Sequence, residues 1–444
     1  MTPALPTPVD VGAMLDRGRW TPYQKALTLL AATAVMFDGF DLQILGFAIP
    51  SIMREWHVAR AAFAPVAAIG LAGMALGSPL AGYLGDRIGR RLALILCVTV
   101  FGAATVATAF APDLTWLAIL RFLTGMGVGG ALPNAAAFTA EFAPARRRPL
   151  AVTFTLICVP LGGMVGGAAA THILPAFGWH VMYLAGGIAP LLLATVLLAA
   201  LPESPRFLAR HPHRWSELSR LLTRLGHPAP PGSQFEDRAE RAAEGRAAWR
   251  SLLGDGYLRD TLGLWITYFA SLNGIYLVFG WLPAMLTARG LSLAAASSGL
   301  TAYNAGGVLG AVIGAALLTV WGSRKPMIAG AIAGAASGVA LIFIGIQAGG
   351  SHALLIAGIG LNGLFANGVQ TTLFALAAHV YPTKVRASGV AAAAAVGRVG
   401  GLLSSLTGAA IIQAGIATFW SVLSVSMFCA AIGLMVVRRH FHGR

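Results

Sequence analysis

Apolar residues in this chain gather into blocks long enough to cross a bilayer, separated by short polar clusters. Twelve blocks recur, near 26–53, 62–84, 92–111, 114–137, 150–173, 180–201, 259–287, 298–320, 326–347, 352–378, 388–413 and 417–437. About twenty apolar residues coiled as a helix match the thickness of membrane hydrocarbon. No block alternates polar and apolar positions over ten residues, the pattern a membrane β-barrel would need. The pattern predicts an all-α integral membrane protein with twelve transmembrane helices in two six-helix bundles.

The blocks divide six and six around a polar stretch. This gives an N-terminal six-helix bundle over 1–201, a linker loop over 202–258 and a C-terminal bundle over 259–444. The linker carries nine arginines from Arg206 to Arg250 and, over the same stretch, prolines at 212, 228, 230 and 231. It reads as a solvated tether, with a short surface helix from Glu236 to Arg250. The two halves repeat each other. Glu141-Phe142-Ala143-Pro144 aligns with His379-Val380-Tyr381-Pro382 at an offset of 238, which also pairs Gly125 with Gly363 and Gly162-Gly163 with Gly400-Gly401. Near span 2, Leu76-Gly77 pairs with Leu309-Gly310 at an offset of 233. In spans 1 and 7, Asp38-Gly39-Phe40-Asp41 is set against Asn273-Gly274-Ile275-Tyr276, so that neutral Asn273 and Tyr276 replace the two acids. Duplication of a six-helix unit predicts a pseudo-two-fold along the membrane normal and one site between the halves, near mid-membrane.

Composition agrees with a membrane protein: 57% of residues are hydrophobic and 11% charged. The formal net charge of +15 raises nucleic acid as a partner, which the distribution of charge excludes. With a cytoplasmic N-terminus, 26 of the 31 Lys and Arg fall on inner loops. That bias places both termini in the cytoplasm of a multi-pass protein. The first apolar segment shows no cleavage site and should remain in the mature protein. Cys97, Cys158 and Cys429 lie within spans and offer neither a disulfide framework nor metal-ligand spacing. None of Lys25, Lys325 and Lys384 follows a glycine, so there is no Walker A loop. No zinc helix or nucleophile elbow is present. An enzyme is disfavoured, and no cofactor or metal is expected.

Charged groups inside the spans carry the chemistry. Asp38 and Asp41 sit three apart, on one helix face. An ionised acid deep in a bilayer is costly unless a partner or water relieves it, and such groups mark proton relays. Arg121, in span 4, needs a counter-charge: a permanent ion pair with Asp38 or Asp41, or the same contact made switchable by protonation. Arg398, in span 11, has no acid nearby in sequence and offers a planar fork to a substrate carboxylate. Glu141 and His379 hold equivalent places at the inner ends of spans 4 and 10 and suit gate-forming or solvated salt bridges. Polar amides in lipid need partners, which makes Asn273, Asn304, Asn362, Asn367 and Gln370 candidates for the site. Tyr276, Phe279, Trp281, Tyr303 and Phe374 could wall a pocket for a flat ring.

These features resemble the major facilitator superfamily. Gly82-Tyr83-Leu84-Gly85-Asp86-Arg87-Ile88-Gly89-Arg90-Arg91 looks like its signature loop between spans 2 and 3. Arg121-Phe122-Leu123-Thr124-Gly125-Met126-Gly127 looks like its span 4 motif, and Pro202-Glu203-Ser204-Pro205-Arg206 like the motif after span 6. The resemblance implies that Asp86 caps a neighbouring helix end and that Arg87 and Arg90 hold the outward-facing state. With Thr319 at the acid's place, the second copy of the loop is degenerate. Asp38-Gly39-Phe40-Asp41, Pro133-Asn134 with Glu141, and Tyr381-Pro382-Thr383 through Arg386 and Arg398 resemble the bacterial aromatic acid:proton symporters more closely.

The resemblance implies proton coupling at Asp38, Asp41 and Arg121, and substrate handling at Arg386 and Arg398. The expected activity is uptake of a small aromatic acid with protons by alternating access, through a monomer in a bacterial inner membrane. The substrate set is Arg121, Arg398, Asn273, Tyr276, Tyr303, Asn304 and Gln370; the gating set is Asp86, Arg87, Arg90, Glu141, His379 and Arg386. Alternatives are another organic acid or a niacin-like substrate, drug/proton antiport, and a sensor that binds without transport. Span 5, Pro160-Leu161-Gly162-Gly163, lacks the Gly-Pro core of antiporters.

Overall fold

A computed structural model describes residues 8–230, 233–237, 254, 256–344, 352–381 and 386–442. Its helices in chain order are α1 (Val11–Arg17), α2 (Pro22–Trp56), α3 (Phe63–Ile88), α4 (Arg90–Thr108), α5 (Leu114–Phe142), α6 (Arg148–Ala200), α7 (Pro205–Ala209) and α8 (Trp215–Arg224). After the linker come α9 (Leu258–Ala288), α10 (Leu293–Trp321), α11 (Arg324–Phe343), α12 (Ala353–Val380), α13 (Arg386–Ala414) and α14 (Ile416–Val436). Local chemistry sets several starts. Thr21 and Gln24 form a reciprocal capping box at α2, with Pro22 in the first turn where its missing N–H costs nothing. Asp113 accepts two first-turn N–H groups of α5.

Eleven of these helices are long and apolar enough to cross a membrane. One of them makes two crossings. At 53 residues, α6 would run to about 80 Å if straight, far beyond the ~30 Å of membrane hydrocarbon. It breaks at Gly178 (φ 76°, ψ −179°), a backbone conformation reserved for glycine. Its two arms fold back: a Cβ on Gly166 would lie 3.0 Å from the Phe40 ring and one on Gly186 2.6 Å from it. The expected spans 5 and 6 are these two arms. Twelve crossings return the C-terminus to the side of the N-terminus, called here the terminal side.

Glycine contacts show the duplication in three dimensions. A Cβ on Gly77 would overlap the carbonyl oxygen of Met126, and one on Gly310 that of Leu364. Likewise Gly125 lies on the Gly70 carbonyl and Gly363 on that of Tyr303, while Gly162 lies on Met36 and Gly400 on Phe269. Small residues allow such close helix packing. The same offsets of 233 and 238 relate every pair. They correct the register in spans 1 and 7, because Gly163 packs on Gln43 and its copy Gly401 on Tyr276. Tyr276 is therefore the counterpart of Gln43, and the acids Asp38 and Asp41 stand opposite Ser271 and Gly274. The likeness of Asp-Gly-Phe to Asn-Gly-Ile had drawn the alignment two residues away. Gly46 and Phe279 are counterparts as well, and Gly46 lies on the Phe279 carbonyl. Equivalent residues that touch mark the pseudo-two-fold axis.

The linker is not a tether over its first part. Leu208, Leu218 and Leu222 are fully buried in one apolar cluster with Leu27, Leu94 and Phe138 of the spans. Arg206 reaches Asp16 at 3.2 Å and Asp237 at 3.1 Å. Phe235–Glu236 pairs in parallel with Val9–Asp10 as a two-stranded ribbon. The many arginines masked an apolar stripe on α8, which must be covered. Of the expected surface helix, Glu236 lies in the ribbon and 238–250 fall outside the described residues.

Candidate functional site

A cavity of about 140 Å³ lies between the halves, lined by Asp38 and Leu42 of α2, Pro160 of α6, Tyr276 of α9, Gln370 of α12 and Arg398 of α13. It continues toward the terminal side past Leu156, Phe374 and Ala394. The two acids have separate surroundings. Asp38 is 2% exposed, its Oδ1 has no hydrogen-bond partner among the described residues, and it feels the charges of Asp41 and Arg398. Arg398 comes from the other half and donates from Nη2 to Ser78 Oγ at 3.2 Å, crossing the boundary. An acid and a guanidinium from opposite halves thus line one shared cavity.

Asp41 is committed elsewhere. The Thr105 hydroxyl donates to its Oδ1 at 2.6 Å, and Arg121 Nη2 lies 3.3 Å from its Oδ2. The same Nη2 donates to the Asp41 main-chain oxygen at 3.2 Å. The phenol of Tyr183 adjoins the guanidinium. This buried pair borders a smaller cavity of about 50 Å³ that also touches Tyr276 and Ser405, with room for a water. The expected contact of Arg121 with an acid of span 1 is present, and the acid is Asp41.

Other expected site residues divide. Tyr276 and Gln370 line the larger cavity, as does Asn367. Asn273 does not: it donates to the Gly400 carbonyl at 3.0 Å and accepts from Ser426 at 3.1 Å, tying helices of the second half together. Asn362 is likewise spent on Gly334 and Ser337. Tyr303 packs edge-on against Phe279, with ring centroids 6.1 Å apart, behind the cavity wall. Asn304 exchanges two hydrogen bonds with Gln43, away from the terminal side.

Three of the expected gating residues, Asp86, Arg90 and Glu141, form a polar cluster at the terminal side. Arg90 pairs with Asp86 at 2.6 Å and with Glu141 at 3.4 Å, and Ser204 donates to Glu141. Arg87 lies over the Tyr83 ring, 4.7 Å from its centroid. The expectation for Asp86 is corrected: its partner is Arg90 one turn away, and Glu203 caps the neighbouring helix. Glu203 accepts from the Arg91 N–H at 3.1 Å and the Ser204 N–H at 2.9 Å. Burial pushes the Glu203 carboxyl above the ordinary range, against the pull of those two N–H groups. Gly89 has φ +100°, and any Cβ there would overlap the Glu203 carboxylate. His379 packs against Phe441, centroids 5.4 Å apart. Arg386 opens α13, and its side chain lies outside the described residues.

Sequence reasoning missed Gln43, Ser78, Thr105 and Tyr183. Gln43 carried a signal, a polar amide two residues beyond Asp41. The other three look like ordinary span residues.

Comparison with known proteins places the chain. The family model described as Major Facilitator Superfamily matches residues 31–348 and 264–444. A gallate transporter of Pseudomonas putida is 36% identical over 437 residues, covering 98% of this chain and 96% of that protein. The 4-hydroxybenzoate transporter PcaK of Acinetobacter baylyi is 34% identical over 96% of this chain and 94% of its own length. Among solved structures, the inward open conformation of the xylose transporter XylE from E. coli superposes with a TM-score of 0.75 at 20% identity, covering 95% of this chain and 98% of that one.

Proposed function

Since the chain belongs to the major facilitator superfamily, as a multi-pass membrane transporter and not an enzyme, we propose that it imports a small aromatic carboxylate together with protons by alternating access. The observation that carries this reading is the cavity where Asp38 and Arg398 meet from opposite halves. Its volume of about 140 Å³ suits one ring; a dry protein cavity of roughly 150 Å³ takes up benzene. The names of the relatives, transporters of gallate and 4-hydroxybenzoate, support the substrate class.

The steps follow from charge. Arg398 offers its fork to the carboxylate, and charge-assisted pairs of this kind are strong and directional. Asp38, close to Arg398, competes for the same cation while ionised. A proton on Asp38 removes that competition, so proton and anion bind together. With both in place the cavity holds less uncompensated charge, and the apolar walls close at lower cost. The two halves, 1–201 and 259–444, then rock so that the cavity opens to the cytoplasm, where both termini lie, and both cargoes leave. The pair of Asp41 and Arg121 beside it offers a second proton acceptor. Two protons with one anion move one net positive charge, worth about 2.3 kcal/mol per 100 mV.

Purified protein in proteoliposomes tests this. Counterflow of labelled 4-hydroxybenzoate, and its accumulation under an imposed pH gradient, are expected. Undiminished pH-driven accumulation by the double variant Asp38→Asn, Asp41→Asn would reject the assignment of the proton carriers. Binding without counterflow would identify a sensor.

A further inference from the structure

Among the described residues, buried side-chain amides are bonded through their N–H groups, with one exception. Gln43 and Asn304 bond each other, and Asn362 donates to Gly334 and Ser337. Even Asn367, on the cavity wall, donates to the Gly363 carbonyl at 3.3 Å. Gln370 makes no side-chain hydrogen bond among the described residues; it is 9% exposed and its Oε1 is closed off without a partner. It lines the cavity that holds Asp38 and Arg398. An unspent amide in such a place is a cost to the empty transporter, and a ligand that bonds it recovers that cost.

Gln370 has company. Asn367 and Thr371 line the same cavity and stand three residues before it and one after it, so the α12 face turned to the cavity is a polar strip. The remaining lining is mostly apolar or aromatic, with Leu42, Pro160 and Phe374 among it. The charged end of an aromatic acid is provided for by Arg398. What the strip can recognise is a polar group on the ring itself.

We infer that Gln370 selects aromatic acids bearing a ring hydroxyl over those with a bare ring, an inference that rests on the aromatic-acid reading of the cavity. A phenolic hydroxyl both donates and accepts, so it satisfies an amide through its oxygen or its NH₂ group. A bare ring edge or a methyl group satisfies neither and leaves the amide buried and unpaired. Sites built to bond a substrate hydroxyl reject the analogue that lacks it far more strongly than apolar pockets reject an extra group. The substrate class narrows accordingly to mono- and polyhydroxylated benzoates.

The test is competitive counterflow with the full-length protein in proteoliposomes, using benzoate, 4-methylbenzoate, 3-hydroxybenzoate and 4-hydroxybenzoate. At least one hydroxylated acid is expected to half-saturate at about tenfold lower concentration than benzoate and 4-methylbenzoate. Gln370→Met, similar in volume and unable to bond the hydroxyl, is expected to bring that ratio toward one. If this variant does not reach the membrane, Gln370→Asn, one methylene shorter, is expected to shrink the ratio in the same direction. Wild-type protein with no preference, or a variant with the full preference, overturns the role of Gln370. Counterflow of none of the four acids would overturn the aromatic-acid reading instead, and equal counterflow of all four would leave that reading standing.

Discussion

Gln43 and Asn304 bond each other twice across the boundary between the halves. Gln43 Nε2 donates to Asn304 Oδ1 at 3.1 Å, and Asn304 Nδ2 donates to Gln43 Oε1 at 2.6 Å, with both side chains fully buried. Nearby, Gly46 lies on the Phe279 carbonyl and Gly167 against the Thr301 hydroxyl. The halves are therefore in contact on the side of the cavity away from the termini. Opening that side requires the amide pair to part.

Removing one amide strands the other. Gln43→Leu or Asn304→Leu alone should each cost about 1–3 kcal/mol, the penalty for a buried polar group without a partner. The double substitution should lie closer to wild type than either single one. Thermal unfolding of the purified protein in detergent measures all three. Additive losses would show that the pair does not act as a unit.

The two acids of α2 should fail differently. Asp41→Asn leaves Arg121 a buried cation without its counter-charge, a loss on the order of 3–5 kcal/mol. Its melting temperature and yield should drop sharply. Asp38→Asn removes a carboxyl that forms no direct ion pair among the described residues, so the protein should melt near wild type and lose accumulation driven by a pH gradient. Equal melting of the two variants would contradict the division of roles.

Gly89→Ala should detach the start of the linker. The residue combines a positive φ with close approach to Glu203, so a methyl group brings strain of about 1–3 kcal/mol and displaces the carboxylate from the Arg91 N–H. Faster proteolysis between α7 and α8 is the expected readout. An unchanged cleavage rate would mean that Glu203 does not hold this segment.

Acid should loosen the C-terminal segment. The His440 ring faces the Ser323 hydroxyl at 3.0 Å and the Leu434 carbonyl at 3.1 Å. Burial, with Arg324 adding to it, holds its pKa below the ordinary histidine value, although Asp260 and two main-chain carbonyls pull the other way. A lowered folded-state pKa means that the neutral ring is the native form. Its contribution is complete above about pH 6.5, the unfolded value, and is lost as pH falls through the lowered one. Protection factors over 437–442, exchange rates taken relative to the intrinsic rate at each pH, should fall at pH 5 relative to pH 7.5. Equal protection at both would reject the linkage.

Much of this was legible in the sequence for physical reasons. Lipid permits few backbone solutions, so the spans could be read from apolar length alone, including the two hidden in α6. Close helix contacts require glycine, so the repeat offsets were written in Gly77, Gly125, Gly162 and their copies. Partnerships between distant hydroxyls left no such trace. Thr99 and Thr108 bond the carbonyls one turn back, as threonines in helices commonly do. Thr105 instead reaches Asp41, and nothing in its own neighbourhood tells it from the other two. The α8 stripe was hidden in the same way, since Leu218, Leu221 and Leu222 sit among arginines whose charge dominates the composition.

The meeting of Gly46 with Phe279 has a consequence for how a fused chain differs from a pair of identical subunits. In a symmetric homodimer the residue on the axis must be the same on both sides, so a glycine there would be two glycines. The backbone carbonyl that receives Gly46 belongs to any residue, and close approach asks only one partner to be small. Fusion of the copies into one polypeptide freed the other partner to carry a benzyl ring, and Phe279 places that ring in the wall of both cavities.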